Sequence, residues 1–316
     1  MSFYEDPFLN GIAERLNSPD PKVRRVAVLD LVDSGEPEAV ELLIRALRDE
    51  DASVRAEAAK VIDEFDAEDM ADALLEALTS ADEQVRAAAA RALADLKDPK
   101  AAPALIAALQ TDDAFVLAGV LNALKNFRLP QAKTPALQLL KHRDAGVRRE
   151  AVAVLGYLRD EEALAPLLDL IRSDSSEEVR RAAVGAVQFA EVAKISPALI
   201  AALADAHWQV RAEAAKGLGR LKALDGLQAL IDATTDAYWQ VREKAAEALG
   251  KLGDPVAIPA LGVCAADPVS NLRKAALGAL GEIAHPEARP IIEAALDDGD
   301  PDVRKLARWA LSRLPA

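Results

Sequence analysis

Few residues in this chain have the means to do covalent or metal chemistry, and their spacing limits what they can do. There are three histidines, His142, His207 and His285, and one cysteine, Cys264. A metal site needs several such ligands at short spacing, and no His-x-x-x-His, Cys-x-x-Cys or His-Glu pair is present. A reactive thiol needs a neighbour that lowers its pKa. Cys264 lies in the apolar run Leu261-Gly262-Val263-Cys264-Ala265, so a buried structural thiol is expected. A glycine loop that cradles phosphate follows a strand, and no strand-like alternation occurs. Without a convergent set of reactive groups, neither catalysis, a metal nor a cofactor is expected.

What the chain does carry is the chemistry of recognition. Trp, Tyr and Arg are the side chains that most often anchor interfaces. The candidates are Trp208, Trp239, Tyr157 and Phe189, with the cations Arg149, Arg181, Lys216, Arg220, Lys244 and Lys251. The 52 acidic residues against 38 basic ones leave a net charge of -14, which repels phosphate backbones and argues against nucleic acid as partner.

These side chains are positioned by a repeat. Val-Arg recurs at Val23, Val54, Val85, Val147, Val179, Val210, Val241 and Val303, with Leu272-Arg273 a close ninth copy and Val116-Leu117 in the tenth place. The period is 31 residues, with one step of 32 after Val147. A fixed period of this size means stacked two-helix units, each contacting only its neighbours, so a 316-residue chain can be one repeat domain, residues 1–316. Hydrophobic residues make up 51% and aromatics only 4%, as suits close-packed helices rich in Ala and Leu.

Each unit reads as two helices. Pro103, Pro135, Pro166, Pro197, Pro259 and Pro290 fall near the start of the first, where a missing N–H costs least. Asp20, Asp51, Asp82, Asp113, Asp144 and Asp300 precede the Val by three and are expected to cap the second helix. Gly156, Gly219, Gly250 and Gly281 recur near its end and are expected to be C-terminal glycines. Phe3 and Tyr4, before a first helix expected over residues 7–16, are expected to cover the apolar end of the first unit.

The unit at residues 236–254, Asp-Ala-Tyr-Trp-Gln-Val-Arg-Glu-Lys-Ala-Ala-Glu-Ala-Leu-Gly-Lys-Leu-Gly-Asp, resembles the HEAT repeat, and within it the short phycobilisome-lyase-type repeat. The resemblance covers residues 8–314. It implies an all-α, right-handed α-solenoid of about ten repeats, with the second helices lining the concave side. It also implies a structural ladder in which each repeated Arg meets an Asp, the candidates being Asp49, Asp174, Asp205, Asp236, Asp267 and Asp298. The iron-dependent deoxyhypusine hydroxylases are similar in fold but carry repeated His-Glu pairs, which this chain lacks.

On the second helix the Val and the residues four, five and eight after it are apolar and face inward, as Val241, Ala245, Ala246 and Leu249 illustrate. The residues at −2, +2, +3, +6 and +10 lie opposite and vary most, so they form the ridge on which a partner is expected. Two tryptophans at equivalent places in adjacent repeats, Trp208 and Trp239, would lie roughly 10 Å apart. Repeat four breaks the pattern: Leu117 stands for the Arg, and Phe115, Asn122 and Asn126 mark a hinge or a small pocket.

The leading expectation is a non-enzymatic scaffold or adaptor that binds a protein or peptide. A bilin lyase or other chromophore-handling protein is the alternative that the repeat subtype implies, and a HEAT-like nucleic-acid binder is the third. A single Cys, no signal-like N-terminus and no apolar run near the roughly 20 residues that span a bilayer point to a cytoplasmic monomer.

Overall fold

The structure is a computed structural model and describes residues 4–34 and 38–315. Twenty α-helices are present among the described residues, two for each repeat, and no strand. The architecture is an α-solenoid. The chain divides into two compact units, residues 1–158 and 159–316. In the first, the helices are α1 (Pro7–Arg15), α2 (Pro21–Val32), α3 (Ala39–Ala46), α4 (Ala52–Val61), α5 (Ala67–Leu78), α6 (Glu83–Asp95), α7 (Ala102–Ala107), α8 (Ala114–Phe127), α9 (Lys133–Leu139) and α10 (Ala145–Leu158). In the second they are α11 (Leu164–Ser173), α12 (Glu177–Ala186), α13 (Val192–Ala202), α14 (Trp208–Leu221), α15 (Leu227–Ala233), α16 (Trp239–Leu252), α17 (Ile258–Ala265), α18 (Ser270–Ile283), α19 (Arg289–Ala294) and α20 (Pro301–Arg313).

Odd-numbered helices are the first of each repeat and even-numbered ones the second. Each pair packs together, and in the second unit the even helices form a continuous row, α12 against α14, α14 against α16, α16 against α18 and α18 against α20. The predicted inward face is the core: Val210, Ala214, Ala215 and Leu218 are buried, as are Val241, Ala245, Ala246 and Leu249. Burying each Val or Leu is worth about 1.5–3 kcal/mol, and the shorter Ala lets the two layers approach. Two of the repeated Val residues depart from the expectation. Val23 is 37% exposed, and Val85 is only half-buried.

The helix starts follow the sequence. Asp20, Asp51, Asp82, Asp113 and Asp300 cap the second helices through their side chains. Pro103, Pro259 and Pro290 stand in the first turn of a helix, whereas Pro197 lies inside α13. At the N-terminus Tyr4 is tied to Asn10, whose Nδ2 donates to its carbonyl at 2.7 Å. Phe8 is exposed, and Phe3 lies outside the described residues.

The recurring glycines are not helix C-termini: Gly219, Gly250 and Gly281 are buried inside helices. A Cβ on Gly219 would lie 2.6 Å from Ala248 Cα, and one on Gly250 2.6 Å from Ala279 Cα. On Gly281 it would meet the Trp309 ring at 2.5 Å and Ala310 Cα at 3.0 Å. Each glycine lets the next second helix come close. The left-handed positions that follow helices are Arg128, Arg159, Lys222, Gly253 and Ala284.

The expected ladder is present. Arg24 holds Asp49 with Nε–Oδ2 at 2.7 Å and Nη2–Oδ1 at 2.8 Å. In the second unit Arg180–Asp205, Arg211–Asp236 and Arg273–Asp298 repeat that two-pronged geometry. Arg242 meets Asp267 through one bond of 3.0 Å, and its Nε is buried without a partner. Each Asp also receives the backbone N–H two residues on, as Asp205 does from His207 and Asp236 from Tyr238. It thereby holds the N-cap residue of the second helix in its own repeat while the Arg ties it to the previous one. In the first unit the corresponding places after Arg55 and Arg86 hold Ser80 and Thr111, so two rungs have no carboxylate there.

Candidate functional site

Helix geometry locates the recognition residues. At 3.6 residues per turn each residue advances about 100°, so +3, +6 and +10 crown the outer side of a second helix, while −2 falls toward the flank that meets the next repeat. This explains where Trp208 goes. Its ring packs on the cluster of Ala233, Val241 and Ala245, together with Leu203 and Ala212. It stacks on Tyr238 with centroids 5.7 Å apart and planes 14° from parallel, and His207 stacks on it at 6.5 Å. Arg211 lies over the Tyr238 ring at 5.6 Å, so one guanidinium serves both a rung and a ring.

Tyr238 was not among the sequence candidates. Its signal was available: in repeat eight the residue before Trp239 is aromatic, as His207 is in repeat seven. The stacking neighbour of Trp208 is therefore Tyr238, at the N-cap of α16, and Tyr238 is 48% exposed. Trp239 is half-buried. His207 Nδ1 and Gln240 Oε1 beside this group are buried without a hydrogen-bond partner.

The remaining candidates fall on both units. Arg149 and Tyr157 stand on α10 in the first. Arg149 pairs with Glu150 at 2.8 Å, and Arg128 lies over the Tyr157 ring at 5.7 Å. In the second unit Phe189 is half-buried just after α12, and Arg181 is exposed. Lys216 is paired with Glu213 at 3.2 Å. Lys244 is paired with Glu247 at 2.9 Å and Glu243 at 3.5 Å. Burial works against the charge on Lys244, but the hydrogen bond to Glu247 and the charges of Glu247 and Glu243 together outweigh it and hold its pKa above the ordinary lysine value. Arg220 and Lys251 are exposed and have no carboxylate partner among the described residues.

Charge on this face differs between the units. At the ridge positions of the first unit, four cations (Arg25, Lys60, Arg91 and Arg149) stand against six carboxylates (Asp33, Glu57, Glu64, Glu83, Asp95 and Glu150). In the second unit, eight cations (Arg181, Lys216, Arg220, Lys244, Lys251, Lys274, Lys305 and Arg313) stand against five (Glu177, Glu213, Glu243, Glu247 and Glu282). All three tryptophans of the chain, Trp208, Trp239 and Trp309, are also on the second helices of this unit. Trp309 is 42% exposed and borders a recess of about 380 Å³ with Asp302, Lys305 and Leu306.

Repeat four is resolved into separate parts. Leu117 is buried and simply fills core where an Arg would stand. Asn122 accepts a hydrogen bond from Lys125. Phe115 is exposed, with Arg86 over its ring at 5.6 Å. Asn126 alone of the four borders a cavity, one of about 540 Å³ that Ile62, Leu96, Lys97 and Phe127 also line. Cys264 is buried, and burial, with the nearby Asp267 charge, pushes its thiol up to about 11. Among the described residues no group of three or more His, Cys, Asp or Glu is placed to hold a metal, and no helix is long and apolar enough to cross a membrane.

A family model for HEAT repeats matches residues 9–82, 71–139, 134–189, 196–270 and 263–316. No curated protein matches the chain in sequence. Among solved structures, yeast importin-beta (Kap95p), in a complex with RanGDP, is similar at 15% identity with a TM-score of 0.62. That likeness covers 96% of this chain and 49% of Kap95p, so the chain spans about half of that protein's length. YibA of E. coli is 18% identical over 90% of this chain and 98% of its own, with a TM-score of 0.56. An engineered protein is 21% identical over 98% of this chain and 99% of its own, with a TM-score of 0.51. At these identities the likeness concerns the fold alone.

Proposed function

The chain belongs to the HEAT-repeat family, and from that premise we propose that it is a non-enzymatic scaffold or adaptor that binds a partner protein or peptide. The binding face is the ridge of the second helices, which we assign to the concave side. One observation carries the reading. In a chain with only 4% aromatic residues, all three tryptophans lie on the second helices of one unit, and each keeps part of its surface in solvent. Tryptophan is costly to leave in water and is the residue type most enriched among interface anchors. Tyr238 stands beside Trp208, and Arg220 and Lys251 are exposed near the far ends of α14 and α16.

Two points complete the proposal. Residues 1–316 act as one module, because the repeat period and the family match at 134–189 run through position 158. The protein is assigned to a reducing compartment, since its single cysteine cannot form a disulfide within these residues. The phycobilisome-lyase-type subdivision rests on the 31-residue period and residues 236–254 alone.

The test is affinity purification of the wild type beside Trp239→Ala/Trp309→Ala, with circular dichroism to show that both are folded. Trp208 is left intact because it packs on the core. A partner recovered by the wild type, bound directly in purified form and weakened about tenfold or more by the double change supports the reading. Partners that bind both forms equally sink the ridge assignment.

A further inference from the structure

We propose that the ridge of the second unit takes an acidic peptide segment bearing at least one large apolar side chain. This rests on the scaffold reading above and adds the chemistry of the partner. The first support is the sign of the local charge. The chain as a whole carries -14, yet the ridge positions of this unit carry a surplus of three cations. Pairing within the ridge sharpens the contrast, because Lys216 and Lys244 are already matched to Glu213, Glu243 and Glu247. Arg181, Arg220, Lys251, Lys305 and Arg313 are exposed, and none has a carboxylate partner among the described residues. Arg220 and Lys251 stand in the last turns of the adjacent helices α14 and α16, and Lys305 and Arg313 share α20, so a short anionic segment meets a local field of two such charges at a time. At physiological salt, charges more than about 8 Å away are largely screened, so the surrounding acidity does not cancel it. A long polyanion such as RNA extends past the patch into the acidic remainder and is disfavoured.

The second support is shape. Trp309 and Leu306 border the recess of about 380 Å³ on α20, with Lys305 and Asp302 on its rim, so the apolar anchor enters the recess and its acids lie on the Lys305 side. Arg313 is one turn further along the same helix. An apolar side chain seated against Trp309 places its neighbouring carboxylates beside Lys305 and Arg313. Peptides with an apolar anchor and flanking acids satisfy both features at once.

The experiment is selection of a random peptide library of about twelve residues, displayed on phage, against the full-length protein. The same selection is run against the folded variants Arg220→Glu/Lys251→Glu/Lys305→Glu and Trp239→Ala/Trp309→Ala. A synthetic representative is then titrated by tryptophan fluorescence, for which every reporter lies on this unit. The expected result is enrichment of net-negative sequences with Phe, Leu or Trp. Their binding should weaken about tenfold or more in the charge-reversed variant and fall as salt rises. Neutral or basic peptides that still depend on Trp239 and Trp309 would overturn the acidic preference and leave the scaffold reading standing. No ridge-dependent enrichment would remove both. Displacement of the peptide by an equal concentration of single-stranded oligothymidine would replace it with a phosphate-bearing partner.

Discussion

Arg211 and Asp236 belong to successive repeats and are joined by two parallel hydrogen bonds, Nε to Oδ2 at 2.6 Å and Nη2 to Oδ1 at 2.9 Å. The same guanidinium donates through Nη1 to the Asp205 carbonyl at 2.8 Å and covers the Tyr238 ring. Removing it leaves a largely buried carboxylate without its partner. Arg211→Ala should cost about 2–3 kcal/mol in urea denaturation. Arg304 is the internal control, because its guanidinium reaches only the carbonyls of Asp298 and Gly299. Arg304→Ala should cost about 1 kcal/mol. Equal losses would show that the rung contributes nothing beyond the loop contacts.

The glycines of the second helices should answer oppositely to the same substitution. Gly250→Ala places a methyl 2.6 Å from Ala279 Cα, a backbone atom that cannot yield. Overpacking of this kind costs about 1–3 kcal/mol. Gly278 in α18 meets only Leu306 at 3.9 Å, so Gly278→Ala keeps its contacts and gains helix propensity of about 0.5–1 kcal/mol. Thermal melts of the two single variants read the sign directly.

The ladder carboxylates set the acid limit of stability. For Asp205 and Asp236 burial pushes the carboxyl up, but hydrogen bonds from Arg180 or Arg211 and from the following backbone N–H outweigh it, and both titrate below the ordinary Asp value. Asp298 is lowered first by its hydrogen bond to Arg273. A folded pKa below the unfolded one gives stability that is fully present above the unfolded value, near about 4, and is lost as pH falls through the folded value. The melting temperature should therefore stay level in its carboxylate contribution from neutral pH to about 5 and drop below about 4. A melting temperature that falls between pH 7 and 5 would assign the loss to other groups.

Cys264 should be silent in the native protein. Its thiol is buried and titrates at about 11, so almost no thiolate exists at neutral pH. An aromatic disulfide reagent should release no colour from the folded chain and one equivalent after denaturation. Prompt native reaction would contradict the burial.

Much of the fold was legible because it is periodic. The Val-Arg spacing located every second helix, and the caps at Asp20, Asp51, Asp82, Asp113 and Asp300 followed from side-chain chemistry that acts within three residues. The site was less legible. Trp208 and Trp239 stand out in the sequence, but the stacking neighbour of Trp208 is Tyr238, thirty positions away, and no local rule relates them. Position −2 was assigned to the crest of the ridge, whereas the helical angle carries Trp208 onto the flank of the next helix. Gly219, Gly250 and Gly281 show the same difference. A glycine near a helix end has two common causes, and only the approach of Ala248, Ala279 and Ala310 selects between them.

The sequence by itself determined what depends on neighbours along the chain: helix pairs, their starts, the inward face of each and the repeat that stacks them. Tertiary structure decided what depends on neighbours across repeats. It chose which Arg finds an Asp, which glycine receives another helix, and which tryptophan is packed and which stays open. The reason is range. Helical period and capping act over about one to three turns, while a rung, a close helix contact or a ring stack joins residues 25 to 30 positions apart.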